Sequence, residues 1–236
     1  MMYKELAKYY DLIYSWKDYK KEVNSINKLI KKYKKSDGNK LLDVACGTGK
    51  HLEYFRENFS CTGIDINDEM INAAKNSLSD VDFKTVDMIN FSLNDKFDVI
   101  TCLFSSIGYV KTYDNLEKTI INFGNHLKSS GVVIIEPWFT KSTYQVGHLG
   151  MTTYDGENIK IARLNTTALE NDVSIMEMHY LILERDKEVK YFVDKHEVGL
   201  FEIDKFLEIM NDAGFQAEFL KDGLMEGRGL YIGIKS

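Results

Sequence analysis

Apolar residues recur at two different periods along the chain, and the switch between the periods outlines the architecture. Residues 4–14 and 18–35 repeat at helical spacing: Leu6, Tyr9, Tyr10 and Ile13 make one apolar face, then Val23, Ile26, Leu29, Ile30 and Tyr33 make another. The stretch from Ser36 to Asn39 breaks the second helix. From Lys40 the pattern predicts strands at 40–44, 61–65, 82–86, 97–103 and 131–136, with helices at 49–58, 68–77 and 114–128. Strands that are apolar on both faces and alternate with helices point to a doubly wound parallel sheet. After Pro137, the chain's only proline, β-rich runs at 158–169, 173–184 and 189–199 are separated by polar turns and predict an antiparallel meander. A helix over 203–213 stops at Gly214, and strands at 215–220 and 230–234 supply a final pair. The expected fold class is α/β: a Rossmann-like, doubly wound, mostly parallel seven-stranded sheet, with an antiparallel β insertion before the last strands.

One strand end carries chemistry. The run from Leu41 to Gly49 reads as a buried strand entering a Gly-x-Gly turn and then a helix, and Asp65 closes the next apolar run roughly 20 residues after Asp43. Strand, glycine turn, helix, second strand and terminal acid describe a nucleoside-binding unit, although such a turn can also be purely structural. A dinucleotide reader wants a third glycine where this chain has Leu52. Asp43 precedes the turn, where a carboxylate repels phosphates but suits a ligand carrying an ammonium and a sulfonium. The charges favour S-adenosylmethionine, with S-adenosylhomocysteine as product; an NAD-linked oxidoreductase is the disfavoured alternative. On this reading residues 1–149 form a cofactor-binding core with an N-terminal helical cap, residues 150–200 an acceptor wall or lid, and residues 201–236 complete the core sheet. Tyr9 and Tyr10 cannot share one helix face, and Tyr10 is expected to look away from the core, with Tyr14 on nearly the same side.

Composition narrows the classes. At 236 residues the chain can bury one large core. A net charge of −6 argues against tracking nucleic-acid phosphates, and the basic run Lys28 to Lys35 is interrupted by Leu29, Ile30 and Tyr33 as a solvated helix face would be. No apolar run approaches the roughly 20 residues that span a bilayer, and the N-terminus lacks the apolar core of a secretory signal. No membrane association and a cytoplasmic location are expected. Cys46, Cys61 and Cys102 read as small buried hydrophobes, and the five histidines lack metal-ligand spacing, so no metal is expected.

The order of elements and the residues at the strand ends resemble the class I S-adenosylmethionine-dependent methyltransferases. That likeness implies that Asp43, Ala45, Cys46, Gly47 and Gly49 hold the methionine end and that Asp65 takes the ribose hydroxyls. It places Met70 against adenine, where a core methionine is the alternative, and Asp87 and Met88 at the adenine amino group, where a loop-capping carboxylate is the alternative. The segments Tyr10 to Tyr14, Lys17 to Tyr19, Asp43 to Leu52, Phe104 to Tyr109, Val133 to Trp138 and Gly227 to Leu230 narrow the resemblance. Together with Glu177, His179 and His196 they look like the dTDP-linked 3-amino-3,6-dideoxyhexose N,N-dimethyltransferases. Further cofactor contacts are implied for Tyr10, Tyr14, Tyr19, Ile66 and Phe104, and acceptor contacts for Glu136 and Trp138. The chain departs from that group at Phe139, Thr140 and Lys141, where a second tryptophan and a proline are usual.

Arg228 stands between two glycines, a setting that suits close approach to a diphosphate; a turn arginine paired with Glu226 is the alternative. Methyl transfer to an amine needs alignment and a neutral nucleophile more than a strong base. Tyr3 and Tyr109 are expected to orient the amine, and Glu136 or His196 to receive its proton through water. An oxygen acceptor would need a base, for which His196 and His148 are first in line. The leading expectation is N-methylation of a small amine such as a nucleotide-linked amino sugar, by a monomer or homodimer. An O- or amino-acid methyltransferase, and a non-catalytic cofactor-binding protein, are the alternatives.

Overall fold

The computed structural model describes residues 3–236, with side chains from Ala7 onward. Its frame comes from consecutive apolar residues that face opposite ways. In β1 (Lys40–Val44) and β4 (Phe97–Cys102), Leu41 and Val99 enter one buried cluster while Leu42 and Ile100 enter another. In β5 (Leu127–Ile135), Val132 and Ile134 oppose Val133 and Ile135 in the same way. Two apolar faces need two covers. The first is covered by α2 (Tyr19–Tyr33), α3 (Leu52–Phe55) and α4 (Asp68–Ser77), through Val23, Ile26, Phe55 and Ile71. The second is covered by α5 (Tyr113–His126) and α6 (Ile203–Asp212), through Leu116, Ile120, Phe123 and Phe206.

The seven strands lie in the order β3 (Asp82–Thr85), β2 (Ser60–Asp65), β1, β4, β5, β11 (Leu230–Lys235), β10 (Phe215–Leu220). Every pairing is parallel except those of β11, which runs antiparallel to both neighbours. The chain leaves β1 toward β2 and later resumes at β4 on the other side. At such a reversal a crevice opens beyond the carboxyl ends of the strands. The sheet is the mostly parallel, seven-stranded one expected.

The second sheet has four strands, β6 (Leu149–Asp155), β7 (Ile159–Glu170), β8 (Val173–Glu184) and β9 (Lys190–Gly199), antiparallel in chain order. Its inner face packs on α1 (Tyr3–Ile13), with Tyr9 and Ile13 against Ile161, Met176, Met178 and Ile182. Strand β6 adds to the three expected runs. Its apolar residues point the other way, with Leu149 79% and Met151 72% exposed, so no buried pattern announces it. The expected helix over 49–58 shortens to α3, whose buried residues are Leu52 and Phe55; the chain then closes in turns through Asn58. Cys46 and Cys102 are buried, whereas Cys61 is only partly so. No described helix is long and apolar enough to cross a membrane.

Candidate functional site

The turn after β1 leaves the ordinary backbone regions. Ala45 and Gly47 both have φ of 56°, and the Gly49 N–H returns to the Cys46 carbonyl at 3.0 Å. A Cβ on Gly47 would meet nothing within 4 Å, so the backbone there faces open cleft. The Gly47 N–H donates to Asp65 Oδ2 and the Asn67 N–H to Asp65 Oδ1, each at 2.9 Å. A carboxylate offers about four acceptor positions. The Ile66 N–H also bonds this carboxylate, and the acceptor capacity that remains lines the cleft, where it suits ribose hydroxyls. Burial raises the Asp65 pKa in spite of its backbone donors. Gly49 faces packing instead: a Cβ there would lie 3.1 Å from Leu78. The tight helix–strand contact sought at the third glycine position is made from the strand, where a Cβ on Gly63 would stand 2.8 Å from Leu52.

Asp43 lines a small cavity with Tyr19, Ala45, Cys46 and Phe104. It is 2% exposed, Thr101 Oγ1 donates to it at 2.7 Å, and burial pushes its pKa up to about 6. Beside it His51 Nε2 lies 2.8 Å from one Glu22 oxygen, and buried Lys17 pairs with the other. Burial works to raise the Glu22 pKa, but hydrogen bonds from His51 and Lys17 carry it below its ordinary value. The Lys17 ammonium also stands 4.5 Å from the centre of the Phe104 ring. A buried carboxylate beside Lys50 and His51 suits the ammonium and carboxylate of an amino-acid tail.

A larger cavity of about 370 Å³ adjoins the same turn, lined by Asp65, Ile66, Met70, Asp87 and Met88. Asp87 both caps its loop, accepting from the Ile89 N–H at 2.9 Å, and faces the cavity. Tyr9 is 1% exposed in the core, whereas Tyr10 lines both cavities with its ring 4.7 Å from that of Tyr14. Across the cavity the Tyr109 hydroxyl lies 2.6 Å from His196 Nδ1, and His196 Nε2 lies 2.9 Å from Asp194 Oδ2. Sequence reading finds Tyr109 and His196 but misses Asp194. The signal was the two-residue period of β9, which puts Asp194, His196 and Val198 on one face.

Phe104 and Ser105 have φ of 54° and 63°, a strained pair. Glu136 Oε2 holds them through the Phe104 N–H at 2.7 Å, and the Ser105 hydroxyl donates to the Pro137 carbonyl at 2.7 Å. Glu136 is 0% exposed, lines none of these cavities, and its Oε1 has no partner. The contact of Glu136 with an acceptor stays an expectation: its Oε2 props the Phe104 turn from the end of β5, and its Oε1 is left unpartnered. Behind Ser105 a cavity of about 510 Å³ is lined by Trp138 and Arg228. The Arg228 guanidinium sits 4.3 Å over Trp138, donates to Ser105 Oγ at 3.0 Å and leaves its buried Nε without a partner. His148 is exposed and away from these cavities, and the Tyr3 side chain lies outside the described residues. Among the described residues no cluster of three or more His, Cys, Asp and Glu is placed to hold a metal ion.

A methyltransferase-domain family model matches residues 15–218. The dTDP-3-amino-3,4,6-trideoxy-alpha-D-glucopyranose N,N-dimethyltransferase of Streptomyces venezuelae is 34% identical over 231 residues, 97% of each chain. Among solved structures, DesVI of Streptomyces venezuelae superposes with a TM-score of 0.92 at 33% identity, over 98% of each chain. S-adenosylmethionine-bound CalS10, an amino pentose methyltransferase of Micromonospora echinaspora, superposes at 0.84 with 26% identity, covering 93% of this chain and 92% of that one. Likeness over nearly the whole length, joined to a cleft lined by Asp43, Gly47 and Asp65, settles the assignment: the chain belongs to the methyltransferase-domain family and is an S-adenosylmethionine-dependent methyltransferase.

Proposed function

We propose that this enzyme N-methylates a nucleotide-linked amino sugar in the cytoplasm, with residues 150–200 as the acceptor wall on a core formed by 1–149 and 201–236. The observation that carries the acceptor reading is Arg228. A guanidinium stacked on Trp138, with a buried Nε–H that no protein group satisfies, is suited to an anion such as a diphosphate. The relatives' acceptors, dTDP-linked amino sugars by name, carry that group.

The cofactor, when bound, supplies an electrophilic methyl group on a sulfonium. Asp65 would hold the ribose hydroxyls, Asp43 the ammonium, and Ile66, Met70 and Asp87 the adenine. The rings of Tyr10, Tyr14 and Phe104 shield the region between the cavities from water, and each ring face near a cation is worth roughly 0.5–2 kcal/mol. Aligning amine and methyl in one cleft can contribute roughly 7–11 kcal/mol. An amine whose pKa is near 8, as for an α-amino group, is already partly neutral at cellular pH. Tyr109 then has to orient the nucleophile, and no strong base is needed.

The test is a mass spectrum of a dTDP-linked 3-amino-deoxyhexose incubated with enzyme and donor. A gain of one or two methyl groups, absent with the sugar freed of its nucleotide, is the expected result. Methylation of hydroxyl or amino-acid acceptors in preference to it would overturn the reading. Arg228→Met should raise KM for the sugar nucleotide at least tenfold while leaving that for the donor unchanged.

A further inference from the structure

We propose that Asp194 is a positioning residue for the methyl acceptor: through His196 it leaves the Tyr109 hydroxyl able only to accept hydrogen bonds from the cavity, which orients a donor such as the amine N–H and gives its proton a way out. The inference deepens the amine reading above and rests on it.

The three groups form one chain, Tyr109 Oη to His196 Nδ1 at 2.6 Å and His196 Nε2 to Asp194 Oδ2 at 2.9 Å, and all three residues line the 370 Å³ cavity. An ionised carboxylate only accepts, so the hydrogen of a neutral imidazole is held on Nε2, facing Asp194. Nδ1 then offers a lone pair, and the single hydrogen of Tyr109 is committed to it. The phenol oxygen turns only lone pairs toward the cavity. Opposite Asp194 and His196 on β8 stand Met178 and Met176, and the hydroxyl of Tyr180, which lines the same cavity, donates to Met178 Sδ at 3.5 Å. On the other face of β9, Lys195 pairs with Glu197, which Lys111 also binds. Tyr14 has the opposite polarity. Its oxygen accepts from Arg163 at 2.9 Å, so its own hydrogen stays free for a ligand. One wall donates and the other accepts, which fits an amine beside a hydroxyl.

The proton inventory closes without a further reagent. As the amine nitrogen gains its methyl carbon, one N–H of the resulting ammonium breaks and its proton joins the Tyr109 oxygen. The original phenol proton moves to His196 Nδ1, and Asp194 stabilises the imidazolium. His196, with 23% of its side chain exposed, returns a proton to water.

The test has two parts. In the full-length protein labelled with ¹⁵N-histidine, nitrogen shifts should report His196 as the Nε2–H tautomer, and Asp194→Asn should abolish that preference. In kinetics, Asp194→Asn should lower kcat at least tenfold with donor Kd within twofold, and Asp194→Glu should restore part of the loss. Combined with Tyr109→Phe, Asp194→Asn should add nothing to the loss that Tyr109→Phe causes alone. An Nδ1–H tautomer in the unaltered protein, or full additivity of the two substitutions, would overturn the proposal. Should the enzyme bind its donor but methylate no amine, the acceptor reading fails, and the tautomer measurement still stands on its own.

Discussion

The Tyr14 hydroxyl accepts a 2.9 Å hydrogen bond from Arg163, a guanidinium that is 8% exposed and has no carboxylate partner among the described residues. It also donates to Thr152 Oγ1 at 3.0 Å and bonds the Tyr180 hydroxyl, lies 5.2 Å from the centre of the Tyr14 ring, and leaves its Nε unpartnered. A buried cation without a counter-ion is a poor stabiliser, so its value lies in fixing Tyr14. Arg163→Met should leave Tm unchanged or raised. Losing a hydrogen bond to a charged group, about 1.5 kcal/mol, should lower kcat roughly tenfold. A fall of about 5 °C in Tm with normal turnover would make Arg163 a structural residue.

Asp65 joins the turn to the ligand. Asp65→Ala removes two acceptors for the ribose and strands the Gly47 and Asn67 N–H groups. At roughly 1.5 kcal/mol or more for each charged hydrogen bond, donor binding in a calorimeter should weaken about a hundredfold. Asp65→Asn keeps one acceptor and should fall between. Unchanged uptake by both variants would remove the cofactor from this cleft.

Asp43 sets a pH dependence. Its folded pKa of about 6 lies above the ordinary 3.8, so between those values the folded protein binds a proton that the unfolded chain does not. The stability it contributes is present below the ordinary value and is lost as pH rises through about 6, a change of roughly 3 kcal/mol. A cationic ligand favours the ionised form, so donor affinity should drop up to about tenfold per pH unit below that point. Asp43→Asn should flatten both curves. Melting curves and binding isotherms of the ligand-free protein across this range would show a different sign if another group dominates.

What could be read from the chain follows the distance over which each feature is encoded. Asp43, Gly47 and Asp65 belong to one strand–turn–strand unit, and local spacing reveals them. The two-sided strands show through pairs such as Leu41 with Leu42, because burial on both faces leaves consecutive apolar residues. Features made by distant partners stay hidden. Tyr109 and His196 are 87 positions apart, and Glu22 meets His51 across 29, so no period links them. The Glu136 hydrogen bond hides for the same reason: its partner is the Phe104 N–H, a backbone group that no side-chain motif advertises. Strand β6 hides because its apolar side chains face out.

Two glycines should separate folding from binding. A methyl on Gly63 would lie 2.6 Å from the Phe83 ring and 2.8 Å from Leu52, both in the closed core. Gly63→Ala should therefore cost about 1–3 kcal/mol of stability through overpacking, seen as a lower Tm, while the folded fraction binds donor normally. At Gly47 the same methyl meets nothing within 4 Å, but it projects into the cleft from a backbone with φ of 56°. Gly47→Ala should lose only about 1 kcal/mol to backbone strain, yet weaken donor binding at least tenfold by filling ligand space. The pair predicts crossed outcomes in one set of melts and isotherms. Normal donor affinity in Gly47→Ala would mean that the turn shapes the fold without touching the ligand.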